Sequence, residues 1–196
     1  MFDAFPASLR DELASLRGRY GPPLVWDVDL DGDPFDPIAR IDDRVGEVCF
    51  VVRRRDATLL SAIKTFYPPN AYRLLTGGIE RGESIYDSLQ REVREETGLT
   101  VAVRRFLAAI AYRRAGAYAF ATFAFLVDET AGELSSGDPN EAVAAFRGVK
   151  PSELEAMARR LESLPDEFDT HLGGSWRDWG RFRAVVHRAV AAALAG

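Results

Sequence analysis

Apolar positions along this chain recur with two periods, and the changes from one to the other outline its elements. Leu9, Leu13 and Leu16 fall at helical spacing with Gly18 and Gly21 after them, which predicts an amphipathic helix over 7–19. Residues 20–44 are rich in Pro, Gly and Asp and read as a connector carrying one short strand at 24–28. From Val45 the pattern becomes strand-like. Residues 45–54 and 58–66 flank the charged turn Arg55-Asp56, Pro68-Pro69-Asn70 marks another turn, and 72–75 is short and extended. A helical period occupies 85–97, followed by two long strands at 100–112 and 117–127 joined around 113–116. Residues 135–140 form a loop and 146–149 a short strand. Residues 151–164 form a helix with Pro151 in its first turn and Glu153 and Glu155 beside it. After a connector at 165–175, the Ala-rich segment 176–195 reads as a final helix. Helices on both sides of a strand-rich centre predict a layered α/β fold. We divide it into an N-terminal helix and connector (1–44), a central domain (45–164) and a C-terminal connector and helix (165–196). Trp176, Trp179, Phe182 and Val186 give the last helix an apolar face, expected to dock on the core or on a second subunit of a homodimer.

The chain's 196 residues can bury one sizeable core, and 47% hydrophobic with 28% charged residues is ordinary for a globular protein. Charge narrows the partners. Lys and Arg number 25 against 30 Asp and Glu, and a net charge of −5 argues against a general nucleic-acid or anionic-membrane binder. It leaves room for a phosphorylated substrate held through a metal. Cys49 is the single cysteine; it forms no internal disulfide and reads as a small buried side chain. The uncharged apolar stretch 115–127 falls short of the ~20 residues a spanning helix needs. The acidic N-terminus with Pro6 does not read as a signal peptide, so a soluble cytoplasmic protein with no membrane partner is expected. Asp27, Asp29, Asp31 and Asp33 alternate as in a calcium loop, but the terminal Glu that such a loop requires is missing.

The chemistry concentrates in residues 77–99, GGIERGESIYDSLQREVREETGL. Gly77 and Gly78 permit close backbone approach, and Gly82 permits a tight turn. Ser84 is a good N-cap with Asp87 three residues on, and Gly98 sits where a left-handed C-cap is wanted, so a helix is expected over 85–97. Ile85, Leu89 and Val93 form its core stripe. Glu96 falls inside that arc, and Glu92 and Glu95 lie along its border. Carboxylates at i, i+3 and i+4 share a face and repel one another, and a carboxylate at the core edge costs several kcal/mol unless paired. Glu96 therefore needs a partner, and either a bound cation or an arginine would serve.

This stretch resembles the Nudix box, G-x5-E-x7-R-E-U-x-E-E-x-G-U with U aliphatic. Gly77, Glu83, Arg91, Glu92, Val93, Glu95, Glu96, Gly98 and Leu99 occupy every specified position. The flanking strand and helix pattern extends the likeness to about residues 45–164 and implies a Nudix-like α/β/α sandwich with N- and C-terminal helical extensions. The resemblance implies a divalent-metal-dependent hydrolase, using Mg2+ or Mn2+, that cleaves the pyrophosphate bond of a nucleoside diphosphate linked to another moiety. Its alternative is a non-catalytic module that binds a nucleotide or nucleotide sugar; such modules commonly lose box carboxylates, and all are kept here. Glu92, Glu95 and Glu96 match the metal-binding carboxylates, with Glu92 or Glu96 activating water. Arg91 looks like the arginine that orients a glutamate, Glu83 like the glutamate that supports the loop, and the carbonyl of Thr76 like a metal ligand. One departure is that Leu75-Thr76 stands where many members have Pro-Gly. Glu141, in the loop before Phe146, is the candidate for the carboxylate that the family often adds outside the box. Lys64 and Arg73 are candidate phosphate contacts, as is Arg53, and Tyr72 and Tyr118 are candidate walls of a substrate pocket, with Tyr67 and Phe120 beside them. The identity of the nucleoside-diphosphate derivative is not written in these residues.

Overall fold

The computed structural model describes residues 2–30, 44–135 and 142–196, with the side chains of residues 44 and 45 left out. Helix α1 (Ala7–Tyr20) leads into strand β1 (Leu24–Asp29). The strands β2 (Arg44–Arg53), β3 (Leu59–Lys64) and β4 (Leu75–Glu80) come next, then helix α2 (Ile85–Thr97). Two long strands follow, β5 (Leu99–Arg114) and β6 (Ala117–Gly132), and then β7 (Val143–Val149). The chain closes with a 3-10 turn (Pro151–Glu153), helix α3 (Leu154–Glu162), two-residue strands β8 (Phe168–Asp169) and β9 (Gly174–Ser175), and helix α4 (Trp176–Ala195).

The first seven strands form one mixed sheet in the order β1-β5-β6-β2-β3-β7, with β4 paired to β2. β1 runs parallel to β5, and β2 parallel to β6; the other pairings are antiparallel. The sequence assigned β1 to the N-terminal connector, and the structure sets it on the edge of the central sheet. Ala115 and Gly116, both at positive φ, make the two-residue turn between β5 and β6.

Strand alternation sorts the core into two halves. Val48, Phe50 and Val52 point to one face, against Ile85, Leu89 and Val93 of α2 and Leu13 and Leu16 of α1. Cys49 and Val51 point to the other, against Leu154, Met157 and Leu161 of α3 and Phe182, Val186 and Val190 of α4. Covered on both faces, β2 reads from Val48 to Val52 as a continuous apolar run rather than an alternating one. The arrangement is an α/β/α sandwich. Gly180 lets α3 and α4 close together, because a methyl group there would lie 2.0 Å from the carbonyl oxygen of Leu161. Arg188 strengthens that seam by pairing with Glu162 and reaching Glu155 at 3.3 Å. The face expected to dock on the core or a second subunit thus packs on its own sheet, where Tyr67 meets Trp176 and Trp179 edge-on.

Candidate active site

The site is built on α2 and the strand before it. Ser84 caps the helix by accepting from Asp87 N at 3.0 Å, and Gly98 ends it in the left-handed conformation at φ 68°. A second cap comes from α1, where Glu12 Oε1 accepts from Ile85 N at 2.7 Å. Burial holds the Glu12 carboxyl above its usual range, against the lowering effect of hydrogen bonds from Ile85 and Tyr86.

Glu92 and Glu96 are buried, at 6% and 2% exposure, whereas the Glu95 side chain is 42% exposed. The carboxylates do not face one another uncompensated. Arg91 Nη1 donates at 3.0 Å to both Glu92 Oε1 and Glu95 Oε2. The same guanidinium grips Glu83 through Nε (2.8 Å) and Nη2 (2.7 Å), and Nη2 also reaches the carbonyl of Gly78 at 2.9 Å. All five N–H donors of the planar fork are thereby used, a geometry that lysine cannot reproduce. Hydrogen bonding from Arg91, helped by Ser88 Oγ and Glu80 N, pulls the Glu83 carboxyl down to about 2. Lys64 Nζ stands 3.5 Å from Glu96 Oε1. Gly77 lies directly beneath Glu92, where a methyl group would sit 2.0 Å from Glu92 Cδ.

Thr76, one residue earlier, belongs to a second polar cluster on the opposite face of the sheet. Its Oγ1 accepts from Arg73 Nη1 (3.1 Å) and from Arg183 Nη1 (3.2 Å). Arg183 also holds Glu47 at 2.7 and 2.9 Å, and Thr122 Oγ1 donates to Glu47 Oε1 at 2.8 Å. Burial alone would weaken the proton affinity of Arg73, but Tyr67, Glu96 and Glu47 around it more than compensate. Arg73 is buried, with Nε on Tyr67 Oη (3.0 Å) and Nη1 also on the Leu74 carbonyl (2.8 Å).

The sequence reading did not find Glu47, Thr122 and Arg183. Signals for two of them were present. Glu47 is a charge inside the apolar run of β2, and Arg183, at i+7 from Trp176 and i+4 from Trp179, lies on the apolar stripe of α4.

The remaining candidates scatter. Tyr72 packs under Arg147, 5.4 Å from the ring centroid, beside a cavity of about 250 Å³ against α3. Tyr118 lines a different cavity, of about 600 Å³, shared with Leu9, Glu12 and Glu83 at the opposite end of α2 from Glu96. Arg53 is engaged by Asp128 at 2.7 and 3.1 Å. Glu141 lies outside the described residues.

The pattern that decides the family is the complete box, and its reach along the chain agrees. A family model for the NUDIX domain matches residues 39–171, about two thirds of the chain. The chain belongs to the Nudix family. No curated protein matches it significantly. Among solved structures, it is similar to an ADP-ribose pyrophosphatase from Streptococcus suis, at 16% identity, covering 76% of this chain and 91% of that one with a TM-score of 0.45. It is similar to a NUDIX hydrolase from Nitrosomonas europaea, at 20% identity, 59% and 78% coverage and a TM-score of 0.45. A C. elegans Ap4A hydrolase gives 17% identity, 72% and 98% coverage and a TM-score of 0.43. No helix among the described residues is long and apolar enough to cross a membrane.

Proposed function

We propose that this Nudix protein is a divalent-metal-dependent hydrolase that cleaves the pyrophosphate linkage of a nucleoside diphosphate joined to another moiety. The observation that carries this reading is a complete box whose two buried carboxylates, Glu92 and Glu96, lie beside the half-buried Glu95 on adjacent turns of one helix. Three carboxylates supply an all-oxygen donor set, which suits a hard ion such as Mg2+ or Mn2+. Among the described residues no three acidic, His or Cys side chains form a ready-made metal cage. A Mg2+ site needs none, because that ion keeps several waters and takes only one or two protein carboxylates. The ion would draw its one or two carboxylate ligands from Glu92, Glu95 and Glu96, with the carbonyl of Thr76 as a further candidate ligand. When bound, it would offset phosphate charge and make water easier to deprotonate.

The chain's own residues supply position. Arg91 orients Glu92 and Glu95 from one nitrogen and is itself anchored on Glu83 and Gly78. Glu92 or Glu96 takes the proton of the attacking water, and Lys64, next to Glu96, is the cation best placed to meet a phosphate oxygen. Arg73 is buried, and its Nε and Nη1 are spent on Tyr67, Leu74 and Thr76, so we assign it to the scaffold.

A panel of nucleoside-diphosphate derivatives, assayed for phosphate or nucleotide products with and without Mg2+, tests this. Turnover should require the ion and fall by at least about 100-fold in Glu96→Gln, the scale of losing a positioned acid or base. Glu95→Gln should also be impaired. Wild type and both variants equally inert on every substrate would overturn the reading.

A further inference from the structure

Helix α4 begins beyond residue 171, where the family match ends, and contains no box residue. Two of its side chains nevertheless reach the strand that leads into the box. Arg183 Nη1 donates to Thr76 Oγ1 and to both oxygens of Glu47. One turn later, His187 Nε2 accepts from Leu74 N at 3.0 Å, while Nδ1 lies 2.8 Å from the Arg183 carbonyl. The Leu74 amide can only donate, so the ring proton is on Nδ1 and donates to that carbonyl. Leu74 and Thr76 are alternate residues and face α4. Gly77 faces the other way, where Glu92 closes over it. The chain at 74–77 is therefore clamped, with α4 on one side and the box helix on the other.

The clamp carries a cost. Arg183 Nε is buried without a hydrogen-bond partner among the described residues. It also has almost no accessible surface, so no ligand can take it as a donor. Apolar side chains in place of both Arg183 and its buried partner Glu47 would pack against this part of the sheet without that loss, and buried ion pairs are often no more stable than such replacements. What such replacements would lack is the donor that ties Thr76 to α4; the other donor on Thr76 Oγ1, Arg73 Nη1, comes from the chain just before β4.

We propose that Arg183, braced by Glu47 and His187, is a positioning residue of the catalytic centre. Pinning β4 at Thr76 sets where the Gly77 backbone meets Glu92, and hence where the box carboxylates stand. The kinetic arm of the test rests on the hydrolytic reading; the other two arms do not.

The test compares wild type, Arg183→Met, Arg183→Lys and the exposed-face control Arg181→Met in the full chain. It measures amide hydrogen exchange, Mn2+ binding by electron paramagnetic resonance with the metal alone, and steady-state kinetics. Arg183→Met should speed exchange at least tenfold in peptides covering 74–80 but not in those covering 106–112. Mn2+ affinity should fall about 10- to 100-fold, the usual effect of removing a partner that orients metal ligands. The value of kcat should fall by a similar factor with KM little changed, Arg183→Lys should restore part of each loss, and the control should match wild type. Exchange that is unchanged, or raised equally in both segments, would overturn the proposal. So would local loosening with Mn2+ affinity unchanged. A wild type that turns over nothing, but whose Mn2+ affinity and local exchange respond to Arg183→Met, would overturn the hydrolytic reading and support the positioning role. If Arg183→Met does not fold, Glu47→Gln carries the same comparison under the same criteria.

Discussion

A single hydrogen atom decides the geometry under Glu92. With any side chain at Gly77, its Cβ would lie 2.0 Å from Glu92 Cδ and 2.1 Å from Oε2, well inside contact distance. The obstacle is a side chain rather than backbone, so the carboxylate of Glu92 would swing away and leave Arg91 Nη1. Gly77 is not among the residues at positive φ, so alanine meets no backbone strain there. Gly77→Ala should therefore still fold, at a cost of about 1–3 kcal/mol set by the buried Glu92 carboxylate losing its Arg91 partner. Its kcat/KM should drop about 10- to 100-fold, since the loss falls on an oriented carboxylate. Urea unfolding and steady-state kinetics on one preparation check both halves. A variant that does not fold, or one that keeps full activity, would contradict the contact.

At the scale of elements, α2 is held at its start by two residues of different origin. Ser84 takes the amide of Asp87 and donates its hydroxyl to the Asp87 carboxylate at 2.7 Å, a local arrangement set by residues three apart. Glu12 takes the amide of Ile85 from 73 positions away, and its negative charge faces the positive end of the helix dipole. Glu12→Ala leaves that donor unpaired and should cost about 1 kcal/mol, as cap losses do. Urea unfolding followed by circular dichroism measures the cost, and amide exchange at Ile85 and Tyr86 should accelerate before the rest of the helix. The same contrast separates what was legible in the sequence from what was not. Ser84, Gly98 and the placing of Glu96 against the core stripe follow from spacing within one helix, and all are found in the structure. The strand runs were legible because covered strands stay apolar. Glu12, and Arg183 holding Glu47 from 136 positions away, depend on which surfaces meet, which no local period encodes. That Tyr72 and Tyr118 line two separate cavities was not legible for a related reason. Aromatic alternation tells which face of a strand a ring occupies, but not how far along the sheet it lies from the site.

For the molecule as a whole, the box helix α2 and helix α4 hold β4 from opposite faces, and the two sides should respond differently to acid. On the α2 face, Glu83 is held near 2 by Arg91, so its contribution is present above the ordinary carboxylate range and is lost only as pH falls toward 2. On the α4 face, burial lowers the His187 pKa to about 4, and the charges of Arg73 and Arg183 oppose a further cation beside them. The Arg183 carbonyl, which accepts from the ring, only partly offsets this. Between that value and the ordinary histidine pKa of about 6.5, the unfolded chain binds more protons than the folded one. Stability therefore rises with pH across this window: the contribution of neutral His187 is complete above about 6.5 and is lost as pH falls toward 4, a total of roughly 3 kcal/mol. Protonation would also remove the acceptor that holds Leu74 N, so acid should loosen the α4 side of the sheet while the Arg91 network stays intact. His187→Gln keeps an acceptor within reach of Leu74 N but does not titrate. Urea unfolding at pH 7 and pH 4.5 should show wild type losing about 2 kcal/mol more than His187→Gln over that interval. Equal losses in the two proteins would mean that acid sensitivity comes from groups shared by both, and that α4 is not the first part of the molecule to yield.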